Sequence, residues 1–166
     1  MKKTITDHSV SRRNLLLGVG AAALASYLSV TQTRASSGDA GSRDVLDRAV
    51  AAFFDGWRSG DWKAFLGLLA DDFIFQFPTG SQRGRHTGAE GKRRMTEWAN
   101  GNSSAGNRIT ESTIDLRLYA ADWIVFCDRG LGKFGGQPYT GLHAIFMRAG
   151  NGKIAEFREY FGELPA

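Results

Sequence analysis

The chain has 166 residues, with 21 Lys and Arg against 17 Asp and Glu, a formal net charge of +4, 11 Phe, 4 Trp and one cysteine. Five of the basic residues (Lys2, Lys3, Arg12, Arg13, Arg34) and one acidic residue, Asp7, fall in the first 35 positions, so the rest of the chain carries sixteen of each sign. A neutral remainder has no basic face to neutralise phosphates, which excludes nucleic-acid binding, and a lone cysteine excludes an internal disulfide and leaves stability to packing.

Ser11-Arg12-Arg13-Asn14-Leu15-Leu16 leads into an apolar run from Leu15 to Val30, and the small-residue site Thr33-Arg34-Ala35 follows. A charged start, a short apolar middle and such a site form a cleavable signal, and the paired arginines point to the twin-arginine route. Residues 1–35 are therefore expected to be removed as a signal peptide. Arg12 and Arg13 would be read by the export machinery, and the folded domain delivered to the periplasm or the exterior. A retained anchor is the alternative, but the run is 16 residues long and interrupted by Gly18, Gly20, Ser26 and Ser29, whereas a span needs about 20 apolar residues.

Residues 36–42 are small and polar and predict a linker, with 43–166 forming one compact domain. Ser42 is positioned to cap a first helix whose apolar stripe is Leu46, Ala49, Val50, Phe53, Phe54 and Trp57, ending at Ser59-Gly60. Asp61 would cap a short second helix with Trp62, Phe65, Leu66 and Leu69 on one side. After Asp71-Asp72 the period changes to two, placing Phe73, Phe75 and Phe77 on one strand face until Pro78-Thr79-Gly80. Arg83, Arg85 and His86 read as solvated loop charges. Thr87-Gly88-Ala89-Glu90 predicts a capping box opening a helix to about Trp98, with Lys92, Arg93 and Arg94 on its exposed side. Strands are expected over 109–119, 123–129, 139–147 and 154–161, the last two joined by the hairpin turn Asn151-Gly152. Segregated helices and strands imply an α+β fold, helices lying on one face of a curved antiparallel sheet. Cys127, inside Trp123-Ile124-Val125-Phe126, reads as a small buried apolar residue. His86 and His143 lack ligand spacing, so neither a metal nor a cofactor is expected.

Arg58-Ser59-Gly60-Asp61-Trp62, Leu69-Ala70-Asp71-Asp72-Phe73, Phe77-Pro78-Thr79-Gly80, Gly136-Gln137-Pro138-Tyr139, Gly152-Lys153-Ile154 and Arg158-Glu159-Tyr160-Phe161 together resemble the nuclear transport factor 2-like superfamily, in its SnoaL-like branch. The resemblance covers nearly all of residues 43–164. It implies a cone-shaped roll, a bent sheet wrapped around N-terminal helices with a deep apolar pocket, and a homodimer formed through the outer sheet face. It also implies either acid–base catalysis of the isomerase, cyclase or dehydratase kind or a non-catalytic binding or assembly module. The family's ketosteroid isomerases work through a Tyr and two Asp; the matching positions here are Phe53, Phe77 and Ile145, so that form of the chemistry is excluded. Gly162 also departs from the Asp that relatives often place there.

If Ile145 faces the pocket, the two-residue period places Gly141, His143 and Met147 there as well, and the same comparison turns Phe157, Glu159 and Phe161 inward. His143 and Glu159 would then meet on neighbouring strands in an apolar space, where a carboxyl's pKa rises and a nearby imidazole pulls it back. Glu159, His143 and Asp128, which shares parity with Ile124 and Phe126, are the candidate acid–base residues. Phe53, Trp57, Phe73, Phe75, Phe77, Tyr139, Ile145, Phe157 and Phe161 are the candidate contacts to a small apolar ligand. The alternative makes His143 a satisfied pocket histidine, Glu159 its structural partner or a rim residue, and Asp128 the polar end of a strand. Glu156 and Arg158, and Asp115, Arg117 and Tyr119, alternate away from the pocket face and are expected on the dimer surface.

Overall fold

The computed structural model describes residues 37–163; the expected signal, with Arg12, Arg13 and the site at Thr33-Arg34-Ala35, lies outside them. Helices α1 (Ser37–Ser59), α2 (Lys63–Leu66) and α3 (Gly88–Ser104) accompany six strands: β1 (Leu69–Phe77), β2 (Gly84–Thr87), β3 (Arg108–Ala120), β4 (Trp123–Phe134), β5 (Gln137–Gly150) and β6 (Lys153–Glu163). The strands form one curved, unclosed sheet in the order β2-β1-β6-β5-β4-β3. Every neighbouring pair is antiparallel except β1 with β6. The fold is α+β, as the segregated pattern predicts. No described helix is long and apolar enough to cross a membrane.

Helix α1 buries the expected stripe, with Leu46, Ala49, Val50, Phe53 and Trp57 in the core. It begins at Ser37, so residues 37–42 are helical rather than a linker, and Ser42 is not its cap. That stretch contains no proline, and small polar residues tolerate helical dihedrals once a long helix propagates into them. The Phe53 ring meets Trp57, Trp62, Phe65, Trp98 and Phe157 at centroid separations between 5.4 and 6.4 Å. Gly56 makes this possible, because a Cβ there would stand 2.4 Å from the Trp62 ring. The indole N–H of Trp62 donates to Ser103 Oγ at 3.0 Å, tying α2 to the end of α3.

Asp61 Oδ1 accepts the Lys63 amide at 3.0 Å, but the cap position of α2 is Trp62, which makes no side-chain cap bond; the helix is one turn and Leu69 already belongs to β1. The capping box of α3 does not form: Thr87 makes no side-chain cap bond, and Glu90 pairs with Arg93 at 2.6 Å and Arg94 at 2.7 Å. Two arginines within reach are stronger donors to a carboxylate than one amide. The segment carrying Arg85 and His86 is the edge strand β2, paired with β1, rather than loop. At the β5–β6 turn Asn151 and Gly152 have φ of 51° and 71°, the left-handed pair a two-residue hairpin needs.

A bulge in β3 reverses the expected facing there. Ile114 pairs with Asp128 but Leu116 pairs with Cys127, leaving Asp115 as the extra residue. Leu116 and Leu118 consequently turn outward, 44% and 54% exposed, while Arg117 and Tyr119 turn to Asp47 of α1. Glu156 is buried rather than surface-facing; Arg158 reaches it at 2.6 Å and Arg148 at 3.5 Å, and both guanidiniums lie over the Trp123 ring. Cys127 is half-buried on the outer face, not enclosed in the core.

Candidate active site

Three strands place the candidate polar groups. In the β4–β5 ladder Asp128 stands directly opposite His143, and in the β5–β6 ladder His143 opposes Phe161 while Ile145 opposes Glu159. Because facing repeats every second residue, Asp128, His143, Glu159 and Phe161 share the inner face. The three ionisable side chains are 2%, 6% and 5% exposed, respectively for Asp128, His143 and Glu159.

Both imidazole nitrogens are engaged. Nδ1 lies 3.3 Å from Asp128 Oδ1, a contact of charge, since that oxygen has no aligned hydrogen-bond donor among the described residues. Nε2 lies 2.9 Å from the Tyr139 hydroxyl. Two glycines make room for this arrangement. A Cβ at Gly141 would stand 2.0 Å from the Tyr139 hydroxyl oxygen, and one at Gly130 would stand 2.9 Å from His143 Cε1.

Burial pushes the Glu159 carboxyl up to about 7; the negative charge of Asp128 adds to this and His143 opposes it. For His143, burial favours the neutral ring, but the Asp128 contact and the charge of Glu159 outweigh it and hold the imidazole above its ordinary value. A cationic ring donates from Nε2 to the Tyr139 oxygen. Glu159 Oε2 is buried without a hydrogen-bond partner among the described residues. Unpartnered buried carboxylate oxygens are expensive, and they concentrate where function requires them.

A cavity of about 250 Å³ opens beside these groups. Of the residues expected at the ligand, Trp57, Phe77, Tyr139 and Phe161 line it, together with His143 and Glu159. Phe53, Phe73, Phe75, Ile145 and Phe157 do not: each is at most 1% exposed and packed into the core. They occupy the correct face but lie where the rings of α1 and α2 fill the space. Asp128 stands behind His143 rather than at the cavity. Trp98 and Asn102 of α3, Ile109 of β3 and Phe134 of β4 line the cavity without having been expected; the continued α3 stripe at Trp98 and Asn102 is the one signal that pointed to them. Among the described residues no cluster of His, Cys, Asp and Glu is grouped to hold a metal ion.

A family model described as a SnoaL-like domain matches residues 50–157. The chain belongs to the SnoaL-like family. Among solved structures, this SnoaL-like chain is similar to an NTF2-like protein from Anabaena variabilis, with 32% identity and a TM-score of 0.67 over 74% of this chain and 90% of that one. A candidate isomerase from Rhodopseudomonas palustris shares 15% identity at a TM-score of 0.60, covering 70% of this chain and 88% of that one. A LEH-like epoxide hydrolase from M. tuberculosis shares 19% identity at 0.52, covering 69% and 80%. The last two likenesses are of fold alone. No curated protein matches the sequence.

Proposed function

We propose that this SnoaL-like domain binds a small, largely apolar molecule in the aromatic cavity and carries out acid–base chemistry on it, of the isomerase, cyclase or dehydratase kind, without a cofactor. The observation that carries this reading is Glu159, a buried carboxyl at the cavity with one oxygen unpartnered and a pKa raised to about 7. A base poised near the working pH combines a useful ionised fraction with a useful proton affinity. Ionised Glu159 takes a proton from a ligand carbon. His143, held by Asp128, is hydrogen-bonded to the Tyr139 hydroxyl at the cavity wall, and the cationic ring stabilises negative charge developing on the ligand. Tyr139, His143 and Glu159 all line the cavity.

Exchange of the α-protons of cyclohexanone in D2O, followed by NMR, tests the proton-abstraction step. Glu159→Gln is expected to lower the enzyme-dependent exchange by about 10²- to 10⁴-fold with ketone affinity retained; equal exchange by the variant overturns the assignment.

The second reading is a non-catalytic binding or assembly module, supported by the outer sheet face, where Leu116, Leu118, Leu142 and Tyr160 are 41–54% exposed. A homodimer through that face suits either reading, and Leu118→Glu should convert it to monomer in sedimentation velocity. We further read residues 1–35 as a twin-arginine export signal, which makes the working compartment the periplasm or the exterior.

A further inference from the structure

We propose that the ligand of this pocket is a protonated amine, its N–H donating to the Glu159 carboxylate and its alkyl carbons lying among the aromatic walls. The inference rests on the cavity being the binding site and deepens that reading, but it does not require turnover.

Three observations on the same cavity converge. The first is charge. Among the described residues the ionisable groups at or behind the cavity wall are Glu159 on β6, His143 and Tyr139 on β5 and Asp128 on β4, and no Lys or Arg lines it. Asp128 and the His143 cation offset one another, so the charge left to the ligand is that of Glu159. An anionic ligand meets two carboxylates and an imidazole whose nitrogens are both engaged.

The second is the hydrogen-bond inventory. Glu159 Oε2 is a buried acceptor with no donor among the described residues, and Glu159 itself is 5% exposed. A carboxylate only accepts, so the complementary ligand group is a donor, and a cationic donor offsets the buried charge as well. Charge-assisted bonds of this kind are about twice as strong as neutral ones.

The third is the wall. Trp57, Phe77, Trp98, Phe134, Tyr139 and Phe161 surround the polar groups. Ring quadrupoles attract a cation, increasingly so when water is excluded, whereas they offer an alcohol and its alkyl isostere little beyond contact. About 250 Å³ holds roughly eight water-sized groups, enough for a single ring bearing an amine.

Isothermal titration of the full chain with cyclohexylamine, cyclohexanol and cyclohexanecarboxylate separates the three charges at nearly constant shape. Near pH 8 the amine should bind about tenfold more tightly than the alcohol, and the carboxylate most weakly. Amine affinity should weaken about tenfold between pH 8 and pH 6, because only ionised Glu159 is competent and its ionised fraction falls by that factor. Glu159→Gln should remove the preference for amine over alcohol; the pH series on the natural sequence makes the same test without a variant. Alcohol binding as tightly as amine, or amine affinity flat with pH, overturns the amine and leaves the pocket reading standing. No binding by any of the three overturns both.

Discussion

Replacing Glu159 with Gln keeps the shape of the side chain and deletes its ionisation, so the variant isolates the energetic consequence of burying a carboxyl in this cavity. Raising that carboxyl from 4.5 to about 7 means that ionising it in the folded chain costs about 3 kcal/mol more than in the unfolded chain. The sign follows from proton counts. Between pH 4.5 and 7 the folded state holds the Glu159 proton more tightly than the unfolded state, so stability from this group is present at low pH and lost as pH rises to about 7. The natural protein therefore carries the full penalty above that range, and Glu159→Gln does not. His143, also raised, loses its own contribution as pH rises through its folded value, and the variant forgoes the support Glu159 gives to the imidazole, which trims the gain. Urea unfolding should show Glu159→Gln more stable than the natural sequence by about 2–3 kcal/mol near pH 8, with the difference shrinking toward zero near pH 4.5. A difference that does not change with pH, or a variant less stable throughout, would refute the buried-carboxyl argument.

Other substitutions probe the surrounding pieces. Asp128→Asn removes the carboxylate that raises His143, so the His143 midpoint should fall in NMR titrations, and the broken buried pair should cost about 3–5 kcal/mol of stability; an unchanged midpoint would contradict the pairing. Gly141→Ala puts a methyl 2.0 Å from the Tyr139 hydroxyl oxygen, which forces the ring away from His143 and should cost about 1–3 kcal/mol in thermal unfolding, with a changed His143 imidazole spectrum as the diagnostic sign. Phe53→Ala should lose about 3–5 kcal/mol while the His143 titration stays put, because Phe53 belongs to the core beneath the cavity rather than to its wall.

The polar centre was readable because two simple rules converge on it. The alternation along β5 and β6 assigns His143 and Glu159 to one face, and Asn151-Gly152 pins the hairpin that sets their register. The α1 stripe was equally legible, since its spacing leaves no other way to bury Leu46, Val50, Phe53 and Trp57 together. What sequence could not convey is depth. Phe53, Phe73, Phe75 and Phe157 occupy the face that the period assigns, yet whether a ring borders a cavity or plugs it depends on how α1, α2 and α3 converge, which is a property of the assembled rings. The bulge at Asp115 was hidden for a related reason: one unpaired residue reverses the facing of Leu116, Arg117, Leu118 and Tyr119, and no residue type there announces it. Strand β2 escaped notice because four residues pairing at an edge carry no hydrophobic alternation. Trp98 and Asn102 were missed because α3 was expected to end at about Trp98, and it runs on to Ser104.

The proposed chemistry and the proposed ligand both need a Glu159 carboxyl that keeps its proton to near neutrality inside an aromatic cavity, and carbon-13 NMR reads this directly. With side-chain-labelled glutamate and Glu159→Gln to assign the signal, the Glu159 carboxyl resonance should titrate with a midpoint near 7. A midpoint at the ordinary glutamate value of about 4.3 would place that group in water and contradict both the proposed chemistry and the proposed ligand.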